Sequence, residues 1–431
     1  MVKTYPIPFH TTSIDLRIPE ENVNHFINLV SEEVGDDNIA KLKSALANSA
    51  DEALSHWVEN KRVAFIVEDA TREVPIDDLF QVVMSELKTA KSIKVFIATG
   101  THEGENDENY KIVTQLKKYA QKFSVPIEKI VIHDCQSDAF HLAGVTQSHK
   151  NKVYVNAESQ DADIFFVLSD MKNHYFAGYS NALKNFLPGI CKYESIERNH
   201  ALALKEESTF GHHPLHPDPK RRDNPLAQDI WEGFLLITQK HPAYILATTS
   251  KHKKILWAEA GLLERVTKNG IKQVDTRMSI EVNVADKMIV SCGGYPNDES
   301  LYTAQRALEL TKNGVKEGGE ILFIAGCANG IGPKKSIKNF YDPLKKDLRQ
   351  ILSEYRNKYV MYVHKTYKFA ALIQKMNQIL IHSKLADNII KDIHLHPISD
   401  PQSVVDRWLE DNPDTRINIF TQGNKLAVYA R

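Results

Sequence analysis

Cysteine is scarce in this 431-residue chain: Cys135, Cys191, Cys292 and Cys327 are the four present, with no CxxC pair among them. That spacing argues against a disulfide framework or a thiolate zinc site and predicts reduced thiols in a cytoplasmic protein. Long apolar runs are missing too. None approaches the roughly 18 residues that a membrane-crossing helix requires. The opening MVKTYPIPFHTTSIDL has no apolar segment of the secretory type. Charge of one sign is also missing, since 54 Lys and Arg stand against 55 Asp and Glu, a formal net charge of −1. Neither nucleic acid nor an anionic membrane is expected as the main partner of so balanced a chain. Internal repeats and low-complexity tracts are absent.

The sequence is otherwise that of an ordinary globular protein, 42% apolar and 25% charged, long enough for two domains with their own cores. Short runs rich in β-branched and aromatic residues alternate with amphipathic stretches. RVAFIVED precedes IDDLFQVVMSELKTA, and SIKVFIATG precedes ENYKIVTQLKKYAQKF; KIVIHD, DIFFVLSD, YILATTS, KMIVSCGG, EILFIAGC, YVMYVH and INIFTQG follow. This alternation predicts an α/β fold with two domains, each a largely parallel sheet flanked by helices. The polar stretch Val266–Ser279, with its Asn-Gly pair, reads as the boundary. It divides an N-terminal domain, 1–270, from a C-terminal α/β domain, 271–431.

Several of these strands run into chemically capable residues. IVED leads to Ala-Thr-Arg, IATG to Thr-His and VLSD to Met-Lys-Asn-His. In open α/β sheets the ligand crevice lies outside the carboxyl ends of the strands. Asp69, Thr71, Arg72, His102 and His174 are therefore expected to converge although they are distant in sequence. The plainer reading, that strand ends merely carry polar loop residues, explains less well why an acid, a guanidinium and two imidazoles recur at equivalent ends. Neutral imidazoles suit proton transfer near pH 7, and the fork of Arg72 suits a carboxylate.

Other motifs say less. In GYSNALKN, Lys184 follows Gly178 by six residues but lacks the second glycine and the Ser/Thr of a phosphate loop. Ser180 and Asn181 read as the opening of a short helix with free N–H groups for a phosphate. On local sequence alone, a solvated surface lysine is the better reading of Lys184. GHHPLHPDPKRRDNP lacks helical zinc spacing and reads as an exposed, mobile loop. GGEILFIAGCANGIG is not a dinucleotide fingerprint. In ESLYTAQRALELTKNG, Tyr302 and Arg306 share a helix face beside Thr303.

Taken in order, DATR (69–72), ATGTH (98–102), HYFAGYSNALKNFLPGI (174–190), NH (199–200) and GGYPNDESLYTAQR (293–306) resemble the nickel-dependent lactate racemase family of 2-hydroxy-acid racemases and epimerases. The likeness covers most of the chain, and the block around Lys184 is its most specific part. It implies that Lys184 carries, through a thioamide, a nickel-pincer nucleotide (a pyridinium-3-thioamide-5-thiocarboxylate mononucleotide with Ni(II)), and that His200 is the protein's ligand to the metal. Imidazole and a square-planar site suit that ion. His102 and His174 would be the acid/base pair for the two enantiomers, while the Cα hydride moves to the cofactor and back. Arg72 would hold the substrate carboxylate. Asp69, Thr71 and Ser180 would lie against the cofactor, and Tyr302, Thr303 and Arg306 against the substrate. The active site would lie in the cleft between the domains and close over substrate. Enzymes that assemble the cofactor become expected partners.

The chain departs from that family's lactate enzymes, which have glutamine and lysine where Thr303 and Arg306 stand, and Gly-Gly-Arg in place of Asn181-Ala182-Leu183. The expected substrate is thus a small 2-hydroxy acid not restricted to lactate, with Arg306 facing a larger or second acidic group. Two other classes are alternatives: a metal-dependent hydrolase or lyase using the same histidines, and a non-catalytic nucleotide-binding protein that would tolerate the loss of His102 and His174.

Overall fold

A computed structural model of the chain describes residues 1–28, 37–72, 74–239, 241–334, 337–356 and 358–431. They form two compact units, Glu32–Arg277, and Met1–Ser31 together with Met278–Arg431. Each is built on a six-stranded sheet.

In the Glu32–Arg277 unit the strand order is Lys254–Leu262, Ala243–Lys251, Ile164–Asp170, Arg62–Glu68, Ser92–Ala98, Ile127–Ile132. All pairs are parallel except that of the edge strand Lys254–Leu262. Val63–Val67 are buried to the last residue, as expected of a strand covered by helices on both faces. Phe65 faces Phe166 in register and stacks on it with ring centroids 5.0 Å apart. Asn106 caps the helix Asp107–Phe123 by accepting from Asn109 N, and Asn224 caps Pro225–Thr238. The chain steps outward from Arg62–Glu68 to Ile127–Ile132, then returns to the other flank of Arg62–Glu68 as Ile164–Asp170. That reversal leaves a crevice at the carboxyl ends of these two strands.

The second unit has an all-parallel sheet in the order His396–Pro397, Gln378–His382, Val315–Ile324, Ala285–Ser291, Ile417–Phe420, Val23–Ile27. Its edge strand comes from the N-terminus, which follows the hairpin Val2–Phe9/Thr12–Pro19. Dividing the chain linearly at residue 270 separates these first strands from the sheet they complete, because their partner, Ile417–Phe420, lies at the opposite end of the sequence. Here the strand order reverses between Ala285–Ser291 and Ile417–Phe420.

Two expectations about local structure need correction. The Val266–Ser279 stretch is not a turn or linker, since Leu263–Met278 is one helix. Leu263, Val266, Ile271, Val274 and Met278 are buried at helical spacing, and that periodicity outweighs the Asn-Gly signal. Gly270 belongs in the helix because a Cβ there would lie 2.1 Å from the Met171 sulfur. YVMYVH is not a strand. It leads into the helix Val363–Lys375, and QILIH at Gln378–His382 takes the place in the sheet. Among the described residues, no helix is long and apolar enough to cross a membrane.

Candidate active site

At the carboxyl ends of the strands in the Glu32–Arg277 unit, Asp69, Thr71 and His102 meet, and His174 meets Lys184. Asp69 follows Arg62–Glu68 and is buried. One of its oxygens lies 2.8 Å from His102 Nδ1, and the other accepts from Thr71 Oγ1 at 2.7 Å. Burial pushes the Asp69 pKa up, but the hydrogen bond and charge of His102, the Arg72 guanidinium and the Thr71 hydroxyl together bring it below the usual carboxylate range. His102 is exposed at the rim while its carboxylate partner is enclosed, with side-chain exposures of 46% and 4%. Asp69 thus holds one ring nitrogen of His102 and leaves Nε2 to face incoming molecules.

His174 ends the short strand Lys172–His174, which pairs with Gly178–Ser180. The turn needs Gly178 (φ +75°), where a Cβ would meet the His212 carbonyl oxygen at 2.0 Å. The four-residue helix Leu183–Phe186 then carries Lys184 back, so that its Nζ lies 2.7 Å from His174 Nε2. The Ala177 N–H donates to His174 Nδ1 at 3.2 Å. A backbone N–H can only donate, so a neutral His174 ring carries its proton on Nε2.

Phe176 sits amid these groups. Its ring centroid is 4.4 Å from that of His174, 5.7 Å from that of His200 and 5.7 Å from Lys184 Nζ. His200 lies on the helix Tyr193–Ala201 and bonds through Nδ1 to the Ile196 carbonyl at 3.1 Å. Nδ1 is therefore protonated and Nε2 keeps its lone pair. Desolvation, then the nearby Lys184 charge, push the His200 pKa down to about 3, so the ring is neutral at physiological pH. Asn199 anchors this helix by donating to Asp229 at 2.9 Å. Among the described residues, no group of three or more His, Cys, Asp or Glu is placed to hold a metal ion.

In the helix that Ser180 and Asn181 were expected to open, three N–H groups already have acceptors within the chain. Leu183 N donates to Asn181 Oδ1, Lys184 N to Asn181 O and Asn185 N to Ala182 O. The GHHPLH segment is not exposed either: His213 and His216 are buried. His216 bonds to Asp275 at 3.0 Å, and Asp275 also accepts from Tyr179 at 2.6 Å and Arg221 at 3.0 Å. The segment clamps the strand that precedes Lys184.

Sequence reasoning passed over Phe176, although it lies inside the most specific block. It also passed over the buried acids Glu68 and Asp170. Lys172 lies 3.1 Å from Asp170, and burial raises the Glu68 pKa to about 7. Acids ending fully buried strands were the available signal.

Tyr302, Thr303 and Arg306 belong to the other unit, in the first turns of Leu301–Thr311, which follows the carboxyl end of Ala285–Ser291. Tyr302 and Arg306 share a face, as expected. Thr303 Oγ1 lies 3.2 Å from Ser300 Oγ. The Tyr302 ring packs edge-on against Phe340 and Tyr362, with centroids 5.4 and 6.4 Å away.

Comparison with known proteins places the chain in a family. Residues 9–211 match the lactate racemase N-terminal domain and residues 280–426 the lactate racemase C-terminal domain. The lactate racemase of Thermoanaerobacterium thermosaccharolyticum is 26% identical over 98% of either chain. That of Lactiplantibacillus plantarum is 24% identical over 90% of this chain and 91% of its own. The apoprotein structure of the former superimposes with a TM-score of 0.85 at 22% identity, covering 99% of this chain and all of that one. A crystal structure of a Thermotoga maritima protein aligns with a TM-score of 0.63 at 14% identity, over 93% of this chain and all of that one. By class the chain is an isomerase. More narrowly, it belongs to the lactate racemase family.

Proposed function

We propose that this enzyme racemises or epimerises a 2-hydroxy acid, using a nickel-pincer nucleotide linked to Lys184. One observation carries the proposal: Lys184, His174, Phe176 and His200 adjoin one another, and the His102–Asp69 pair lies at the same strand ends. The residues suit the group. Lys184 presents an amine able to form the covalent link, which an arginine lacks. His200 offers a neutral Nε2 to nickel, with its other nitrogen tied to Ile196. The Phe176 face suits a planar heteroaromatic ring. Thr71 and Ser180 contribute hydroxyls toward the nucleotide, and Asp69 is assigned chiefly to orienting His102. When bound, the group supplies a reversible hydride acceptor.

The remaining work falls to the chain's own residues. Arg72 binds the substrate carboxylate through its two parallel donors. His102 and His174 take the hydroxyl proton and return it, one for each enantiomer, because the two enantiomers direct their hydroxyls differently. Tyr302, Thr303 and Arg306 set the substrate, which is not restricted to lactate. We place the enzyme in the cytoplasm, alongside the enzymes that build its cofactor.

The test is intact-mass and peptide analysis of protein co-expressed with the cofactor-assembly enzymes. An adduct on the Lys184 peptide is expected, and His200→Ala should lose nickel while keeping the organic adduct. An adduct on another lysine, or none despite confirmed cofactor supply, would overturn the proposal in favour of a hydrolase or lyase with its own metal.

A further inference from the structure

Asp229 lies in the helix Pro225–Thr238 and is buried. Three neutral donors converge on it. Thr146 Oγ1 donates to its Oδ1 at 2.7 Å, and the side-chain amides of Asn151 and Asn199 both donate to its Oδ2 at 2.9 Å. Thr146 and Asn151 close the turn between the paired strands Phe140–Val145 and Lys152–Asn156. Asn199 stands next to His200 on the helix Tyr193–Ala201. One carboxylate therefore joins its own helix, a hairpin and the helix that carries His200, all within the Glu32–Arg277 unit.

The hydrogen bonding calls for an acceptor at both oxygens. Each amide gives its second hydrogen to a backbone carbonyl, Asn199 to Leu226 at 3.2 Å and Asn151 to Ser195 at 3.0 Å. Neither amide can flip to suit a donor at position 229, because its oxygen would then face that carbonyl. Burying a carboxylate costs free energy that apolar packing does not. What the carboxylate adds is direction. Successive residues of an α-helix point about 100° apart. With Asn199 held by Asp229 and Leu226, the helix cannot roll about its axis without breaking these bonds, and the His200 ring is kept beside Phe176, centroids 5.7 Å apart. The bond from His200 Nδ1 to the Ile196 carbonyl sets the tautomer, but it lies within the helix and turns with it. The roll of the helix is what decides where Nε2 points.

We propose that Asp229 is a positioning residue for His200: through Asn199 it fixes the roll of the helix Tyr193–Ala201 and so sets the direction in which Nε2 is presented to nickel. The inference rests on the reading of His200 as the nickel ligand and extends it to a residue that touches neither metal nor substrate.

The experiment uses full-length protein co-expressed with the cofactor-assembly enzymes, its Lys184 adduct confirmed by intact mass. Nickel retained during an EDTA challenge is followed by elemental analysis. At equal adduct, Asp229→Asn should lose nickel about tenfold faster than the parent or more, the scale on which groups one contact behind a metal ligand act. Asn199→Ala breaks the same link from the helix side and should accelerate the loss similarly, with the double variant adding little. Thr146→Val removes a bond to the same carboxylate but none to the helix. It should lower stability in urea titrations while nickel loss stays within about threefold of the parent. Nickel loss that simply tracks lost stability across the three variants would overturn the proposal, since a purely structural carboxylate predicts it. So would additive effects of Asp229→Asn and Asn199→Ala, or parent-like retention in Asp229→Asn. Should Asp229→Asn fail to fold, Asn199→Ala set against Thr146→Val gives the same comparison. Parent protein that carries the adduct without nickel, or holds nickel as firmly after His200→Ala, would instead refute the nickel reading of His200, and this inference with it.

Discussion

Asp69→Asn is the most incisive substitution in the candidate site, because it is nearly isosteric and removes only a charge and an acceptor. The carboxylate is enclosed, 4% exposed, and each oxygen has one partner, His102 Nδ1 at 2.8 Å and Thr71 Oγ1 at 2.7 Å. An amide at this position has two settings. With its NH2 toward His102, Nδ1 must accept, the ring proton moves to Nε2, and the nitrogen facing substrate loses its lone pair. With its oxygen toward His102 the tautomer survives and Thr71 turns to accept, but the imidazolium formed during turnover has a dipole beside it where it had a charge. Exchanging a charged for a neutral hydrogen bond costs about 1.5 kcal/mol, roughly tenfold in rate. Losing the tautomer removes general-base catalysis, worth about 10² or more.

Turnover by Asp69→Asn should therefore fall roughly 10²- to 10³-fold. The assay follows single-enantiomer substrate by chiral chromatography, with cofactor loading confirmed by mass. The equilibrium constant fixes the ratio of kcat/KM in the two directions, so both directions must fall by the same factor. Activity within threefold of the parent at full loading would refute the orienting role of Asp69.

Arg72→Lys keeps the charge but loses the fork, and should raise KM about tenfold with a smaller effect on kcat; an unchanged KM in steady-state kinetics would remove Arg72 from carboxylate binding. Gly270→Ala should lower stability by about 1–2 kcal/mol in urea titrations despite alanine's better helix propensity, because the new methyl strikes Met171; a gain in stability would contradict the packing argument. Glu320 accepts from Lys287 at 2.7 Å, Gln378 at 2.6 Å and Trp408 at 2.8 Å, and against the effect of burial these contacts hold its pKa down to about 2. A depressed carboxylate stabilises the fold above its unfolded pKa and loses that contribution as pH falls through the folded value. Glu320→Gln should then cost about 2–3 kcal/mol at pH 7, with the gap closing between about pH 4.5 and 2; a gap independent of pH in denaturant titrations would rule this out.

The parallel sheet was legible because its strands are buried on both faces and read as unbroken apolar runs, as Val63–Val67 do. The helix Leu263–Met278 was misread where one glycine spoke against a good apolar stripe. Its reason for being there is contact with Met171, about a hundred residues earlier, which no local window contains. Val23–Ile27 was assigned to the wrong neighbourhood for the same kind of reason. Among the described residues its sheet partner is Ile417–Phe420, and pairing across nearly the whole chain leaves no local trace.

The candidate site follows the same division. Which residue types stand at the strand ends is written along the chain, so His102, His174, Arg72 and Asp69 were expected together, and Asp69 and His102 do meet. Which of them touch is decided by register. Glu68 pairs with Ala98, so the next residues on the two strands, Asp69 and Thr99, leave the sheet side by side. The turn closed by His102 N to Thr99 O at 2.9 Å then folds the imidazole back onto Asp69. A slip of one residue in that pairing would turn Asp69 to the opposite face and leave His102 without its carboxylate. The acid–base chemistry therefore depends on a pairing of apolar strands, Phe65 opposite Val95 and Val67 opposite Ile97, whose side chains take no part in it.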